Sequence, residues 1–399
     1  MAFSQVVCPN QGLRQTYRKS SLSVKQGMPK SAYIHIPFCK HKCDFCDFAV
    51  VTNLDARIPD YCQTVAFEIA NRLGKDKNHS LETIFYGGGT PGYIDTGELA
   101  VIHAALSRHA SIDKDAEISL ETTPEAITEK KADSWLKLGI NRLSIGIESL
   151  NDNELSSMGR SHNRTQALKG IQLAKSAGFT NISLDLMYGV PEQTIESWQD
   201  SLTELLHFGL PHLSAYAMTL AVNSPLLKRY PLESPKMPSD DLAASMYEIL
   251  VKTAHQAGLE QYEVSNFAKP DLACRHNMTY WDNEEYFAFG LSAHRYVDSV
   301  RSHNWRSFNR YMDDCLGNES AEEITESMRL KEGIILGLRT TAGINVKKFH
   351  QRYGIDLLKQ FDKQIQEFQS QGLMVGPPES LRLTPQGMLL SNLVLSHFV

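Results

Sequence analysis

Between residues 31 and 220 the chain alternates six times between a short run rich in β-branched and aromatic residues and a longer stretch with apolar residues at three- and four-residue spacing. The short runs are AYIHI (Ala32 to Ile36), TIFYG (Thr83 to Gly87), EISLE (Glu117 to Glu121), RLSIG (Arg142 to Gly146), ISLDLMY (Ile182 to Tyr188) and HLSAYAM (His212 to Met218). Helices are predicted between them, for instance over Pro59 to Leu73 and Lys131 to Leu138. Strand and helix in repeated alternation call for a parallel sheet wrapped by helices, because parallel neighbours need a crossover connection. Six such units fall short of the eight that close a barrel, so the expected class is α/β, a partial (β/α)6 TIM-like barrel with its chemistry at the carboxyl ends of the strands.

The rest of the 399 residues divides around this core. Residues 1–30 form a basic extension, with Arg14, Arg18, Lys19, Lys25 and Lys30 and no Asp or Glu before Asp44. It reads as a basic tail in front of a cytoplasmic domain or as an organelle transit peptide; the lack of an Arg-rich amphipathic pattern favours the tail. The barrel is assigned to 31–221, and 222–324 holds a link with Pro225, Pro231, Pro235 and Pro238, a helix over 240–256 and a polar, aromatic segment over 262–296. An α+β region over 325–399 ends in a short strand, a turn at Pro385 and an amphipathic helix, which together suggest a winged-helix-like unit. A net charge of -6 argues against nucleic acid as the main partner. No apolar run approaches the roughly 18 residues of a membrane-spanning helix.

Directly after the first run the sequence reads YIHIPFCKHKCDFCDF, which sets Cys39, Cys43 and Cys46 at CxxxCxxC spacing in a loop. Seven cysteines with three gathered in one loop point to metal ligation in a reducing compartment rather than to a disulfide framework. Three soft thiolates suit three irons of a cubane cluster and leave the fourth open to a chelating ligand. A zinc site completed by His41 or Asp47 is the alternative, although closed zinc sites favour two short ligand pairs. Cys62 and Cys315 fall in predicted helices as packing residues, and Cys8 stands alone in the basic extension. One unit later comes YGGGTP, where Gly87, Gly88 and Gly89 before Thr90 let the backbone come close to a ligand.

The cysteine triplet, GGGTP, NRLSIGIESL, MGRSH, DLMYGVPEQT and YEVSNFAKP together resemble the radical S-adenosylmethionine (SAM) family of oxygen-independent coproporphyrinogen oxidases and HemW proteins, over nearly the whole chain from Ala32. The resemblance implies a [4Fe-4S] cluster on Cys39, Cys43 and Cys46. It implies SAM contacts from Tyr33, Phe45, Gly88, Gly89, Thr90, Glu121, Glu148, Arg160 and Asp185. Carboxylates can accept from an amine or from ribose hydroxyls, and Arg160 offers a planar fork for a carboxylate. Glu148 stands where the family commonly has Gln. For Glu121 and Asp185 a helix cap or a surface ion pair is the alternative.

Two features divide the family. The oxidases typically carry a further cysteine two residues after the triplet, where this chain has Phe48 after Asp47. The segment CRHNMTYW resembles the HNxxYW segment of HemW proteins, which makes His276 or Cys274 a candidate axial heme ligand and Tyr280 and Trp281 candidate covers for the macrocycle. A buried loop with core aromatics is the other reading. The resemblance thus implies a heme chaperone of the HemW type, with heme, acceptor hemoproteins including respiratory ones, an electron donor for the cluster and peripheral membrane contact as partners. The rival implied function is oxidative decarboxylation of coproporphyrinogen III; a radical enzyme on another small substrate is a third, since a fold fixes no substrate.

Overall fold

The computed structural model describes residues 28–75, 79–222, 224–231, 234–376 and 379–398. The expectations for Cys8 and for the basic extension up to residue 27 lie outside the described residues.

All six expected strands are present: β1 (Ser31–Ile36), β2 (Ser80–Gly88), β3 (Ser111–Thr122), β4 (Arg142–Glu148), β5 (Asn181–Tyr188) and β6 (His212–Ala217). They pair in parallel in sequence order, with Ser31 opposite Thr83 and Ser183 opposite His212. The intervening helices are α1 (Ile58–Leu73), α2 (Thr96–His109), α3 (Glu129–Lys137), α4 (Asp152–Ser157), α5 (Arg164–Ala177) and α6 (Ile195–Leu206). Starts follow local chemistry: the side chain of Asn163 accepts from the N–H of Gln166, whose own side chain answers in a capping box at α5.

Side chains on a strand alternate between two faces, and here the faces differ in kind. Ile34, Ile84, Leu120, Leu143, Ile145 and Leu184 point outward into the core beneath the helices, against Tyr61, Val65 and Ile69 of α1 and Trp198 of α6. The inward positions are polar: Glu117, Ser119 and Glu121 on β3, Arg142 and Ser144 on β4, Ser183 and Asp185 on β5. A closed (β/α)8 barrel fills its lumen with branched apolar side chains; this one keeps a lumen of charge and hydroxyls.

The remaining elements are α7 (Pro225–Arg229), α8 (Asp240–Gln256), β7 (Glu260–Gln261), β8 (Asn266–Ala268), α9 (Arg275–Trp281), β9 (Phe287–Phe289), β10 (His294–Val297), β11 (Val300–His303), α10 (Phe308–Asp313) and β12 (Ser320–Glu323). Among the described residues the main sheet therefore has nine strands, in the order β7, β8, β6, β5, β4, β3, β2, β1, β9. Short strands from the second half of the chain cover both edges of the six, β9 parallel to β1 and β8 antiparallel to β6. Covering an edge removes a row of unpaired backbone groups, and runs of two or three residues are too short to read as strands beforehand.

The C-terminal unit comprises α11 (Glu326–Leu338), β13 (Ile344–Asn345), α12 (Val346–Tyr353), α13 (Leu357–Gln360), α14 (Asp362–Ser370), β14 (Met374–Val375), β15 (Ser380–Leu383), α15 (Pro385–Leu389) and α16 (Ser391–Leu395), with its strands in the order β13, β15, β14. It has its own core, which includes Ile334, Leu338, Phe349, Phe368 and Val394. Two local expectations need correction. Pro385 opens a helix rather than a turn: it occupies the first helical position, where no N–H is needed, and Thr384 caps it by accepting from the Gly387 N–H at 2.9 Å. Cys315 is buried just beyond α10, not within a helix.

Candidate functional site

The loop after β1 carries the three cysteines and is tied down from several sides. Cys39 donates its N–H to the Val51 carbonyl (3.0 Å), and Val51 donates back to Pro37 (2.8 Å). Asp44 donates to the Met158 carbonyl beyond α4 (3.0 Å), while its own carbonyl accepts from Leu226 of α7 (3.0 Å) and its carboxylate pairs with Arg229. Arg306, ahead of α10, donates to the Asp47 carbonyl at 3.0 Å. The segment expected as a plain link, 222–238, thus contains a helix that clamps the loop.

The sulfur surroundings fit a cluster. The Thr90 hydroxyl lies 3.4 Å from Cys39 Sγ, and Arg160 Nη1 lies 3.4 Å from Cys43 Sγ. Burial pushes all three thiols up, Cys46 to about 11, so the protein gives the sulfurs little positive charge beyond Arg160, and iron would supply it. A β-carbon on Gly89 would lie 2.7 Å from the Pro37 carbonyl oxygen and 3.0 Å from Cys39 Sγ, so only a glycine lets the end of β2 come this close. Gly88, at φ 113°, has a backbone conformation that side chains disfavour. Among the described residues no three of His, Cys, Asp and Glu converge as a single zinc ion would require, the geometry that the alternative with His41 or Asp47 asks for.

Beside the sulfurs the lumen opens onto three carboxylates. Glu121 Oε2 accepts from the Gly88 N–H at 2.9 Å. Asp185 accepts from Ser144 (2.8 Å) and Ser183 (2.9 Å). Glu148 ends β4 with a left-handed φ of 65°, where the pairing register to β5 shifts, and its Oε1 lies 3.6 Å from Arg160 Nη1. Arg160 also donates to the Gly146 carbonyl at 2.6 Å. Burial raises the pKa of all three acids; at Glu148, Arg160 opposes it and Asp185 and Glu121 add to it, leaving a value of about 7. So much carboxylate around one contacting guanidinium suits a ligand with positive centres, and SAM has two, an ammonium and a sulfonium.

The sequence-derived contacts are mostly gathered here: Gly88, Gly89, Thr90, Glu121, Glu148 and Arg160 surround the cysteine loop. Asp185 sits mid-strand, deeper in the lumen than the strand-end position expected of it, and neither it nor Glu121 caps a helix. Tyr33 lines the lumen, 6.2 Å ring to ring from Phe85, with Glu121 next to it around Gly87. Phe45 packs on the apolar group of Leu155, Met158, Met187 and Val190 together with Met218. Sequence reading missed Ser144, Ser183 and Arg142, although their alternation with Leu and Ile in RLSIGIE and ISLDLMY was the signal of a polar lumen.

α9, with the four candidate heme residues, lies away from the cysteine loop. It closes the opposite, amino-terminal end of the barrel, where the Glu117 carboxylate accepts from the N–H groups of Arg275 and His276, both at 3.0 Å. His276 is 1% exposed, and both its ring nitrogens are engaged, Nδ1 with Thr83 (2.8 Å) and Nε2 with Tyr280 (2.9 Å). Burial, with Arg142 nearby, holds it down to about 3. Cys274 is fully buried, its thiol raised to about 12 by burial. Tyr280 packs edge-on against His276 and Tyr286, and Trp281 is half-buried beside it. This is the packing reading of CRHNMTYW: a buried carboxylate in the lumen draws the N–H groups at a helix start onto itself.

The pattern of the Radical SAM superfamily matches residues 33–205, and that of the HemN C-terminal domain matches residues 324–390. Heme chaperone HemW of Bacillus subtilis is 33% identical over 375 residues, 93% of this chain and 99% of that protein. The mitochondrial radical S-adenosyl methionine domain-containing protein 1 of Bos taurus is 30% identical over 91% of this chain and 86% of its own. Among solved structures, the coproporphyrinogen III oxidase HemN of Escherichia coli superposes with a TM-score of 0.81 at 22% identity, over 93% of this chain and 90% of that one, a likeness of fold.

Proposed function

The chain belongs to the HemW family of radical SAM proteins, and from that membership we infer that it is a heme chaperone, which binds heme and passes it to hemoproteins while carrying a [4Fe-4S] cluster and SAM. The observation that carries the reading is the 33% identity along 99% of a relative named as such a chaperone. Phe48, in place of the further cysteine of the oxidases, supports it against porphyrinogen decarboxylation.

Cys39, Cys43 and Cys46 would hold the cluster. The cluster, with SAM bound beside it, would supply one-electron chemistry. Around it the protein would bind and orient: Arg160 would face the SAM carboxylate, Glu121, Glu148 and Asp185 its cationic and hydroxyl groups, Gly88, Gly89 and Thr90 would bring backbone against the aminoacyl part, and Tyr33 and Phe45 would add ring surface. We read 31–221 as the barrel, 222–324 as a region that seals both sheet edges, and 325–399 as a winged-helix-like unit. Acceptor hemoproteins, respiratory ones included, an electron donor and a membrane surface complete the proposed partners. Among the described residues no helix is long and apolar enough to cross a membrane.

The test is anaerobic reconstitution followed by two assays. With SAM and reductant, coproporphyrinogen stays unchanged, and hemin gives a stoichiometric Soret band; a vinyl-bearing product would overturn the reading. Replacing any of Cys39, Cys43 or Cys46 by Ala abolishes iron retention, measured as iron per chain, and full retention in all three variants would remove the cluster assignment.

A further inference from the structure

If the chain carries heme, α9 is an unsuitable place for it, because His276 and Cys274 are sealed at the far end of the barrel. Heme needs an imidazole with a free nitrogen, open space in front of it and a cation for the propionates. Those conditions meet on the hairpin of β10 and β11. After running beside β1, the chain passes over its carboxyl end: the Leu291 N–H donates to the Tyr61 hydroxyl (2.9 Å), which donates to the His35 carbonyl (2.6 Å). The hairpin follows directly. His294 and His303 are register partners on its two strands, and their rings stack with centroids 4.5 Å apart and planes 21° from parallel.

The hydrogen bonds leave nitrogens free. His303 Nδ1 lies 3.2 Å from the Asn304 carbonyl; donating there fixes the tautomer and leaves the lone pair on Nε2. Neither ring nitrogen of His294 has a hydrogen-bond partner among the described residues, and the residue is exposed. Partial burial of the ring, with positive neighbours in His303 and Arg301, holds His294 down to about 4, so it is neutral near physiological pH. Three residues beyond His303, Arg306 is 59% exposed and reaches Asp47, the neighbour of Phe48, which is itself 41% exposed on the cysteine loop. Imidazoles, a guanidinium and an exposed ring thus lie along one rim, next to the proposed cluster.

We propose that the imidazole pair His294 and His303, at the barrel mouth beside the cysteine loop, is where an iron porphyrin binds, with one ring ligating iron and Arg306 facing a propionate. The assignment rests on the heme-chaperone reading.

Hemin is titrated into the reconstituted full-length chain and into H294A/H303A, H294C and H303C. The wild type gives a saturable Soret band; H294A/H303A weakens hemin affinity at least about tenfold, while iron per chain and SAM binding are unchanged. One of the cysteine variants shifts the band and the electron paramagnetic resonance signal toward those of a thiolate-ligated heme. Wild-type affinity and spectrum in H294A/H303A would overturn this location while leaving the chaperone reading standing. No hemin binding by the wild type would instead remove that reading, and this assignment with it.

Discussion

Glu148 is a buried acid beside Arg160, and replacing it by Gln has a calculable consequence. Its side chain is 13% exposed, 3.6 Å from Arg160, and its carboxyl sits at about 7 instead of 4.5 because burial outweighs that guanidinium. A folded-state pKa above the unfolded one means that the fold prefers the protonated acid. The resulting stabilisation is whole below the unfolded value, shrinks as pH rises from there to about 7, and is gone above it. At 1.36 kcal/mol per unit, the swing is about 3 kcal/mol. Gln mimics the neutral acid without titrating. In the SAM-free chain, E148Q should therefore match the wild type near pH ~3.5, exceed it by about 1 kcal/mol near pH ~5 and by about 3 kcal/mol near pH ~8.5, read as the difference in denaturant unfolding free energy. Saturating SAM, whose positive centres favour the carboxylate, should narrow the gap. A difference that does not change with pH, or a variant less stable at the alkaline end, would refute the reasoning.

Other substitutions test packing. G89A places a methyl group 2.7 Å from the Pro37 carbonyl oxygen and 3.0 Å from Cys39 Sγ. It should cost about 1–3 kcal/mol in stability and lower iron per chain; full iron content would show that the close approach is dispensable. H276A removes a buried hydrogen bond to Thr83, a partly buried one to Tyr280 and a ring stacked 5.2 Å from Phe85. It should destabilise the chain by about 3 kcal/mol yet leave hemin affinity unchanged, and a lost Soret band in a stable variant would restore His276 as a heme ligand.

What could be read in advance was local. Each strand of the barrel carries its own alternation, each helix its own spacing, and the cysteine triplet and YGGGTP are contiguous, so six βα units and two halves of one site were legible without tertiary information. Glu121, Glu148 and Arg160 came only through family resemblance, since a single acid in a strand or a single base in a loop carries no periodic signal. The strands that seal the sheet edges escaped because β7, β8 and β9 have two or three residues each and exist only as partners of other strands, β8 of β6, β7 of β8 and β9 of β1.

The position of CRHNMTYW was hidden for the same reason. Its residue types suit a heme ligand; its location is set by Glu117 and Thr83, 159 and 193 residues before His276, which take up its N–H groups and its imidazole. Likewise nothing within Leu226 to Arg229 announces that it clamps Asp44. The order of amino acids settles which periodicity each segment follows and which donor atoms sit close together along the chain. Folding settles which polar groups become buried together, and because a buried polar group must find a partner wherever the fold brings one, that choice belongs to the assembled molecule.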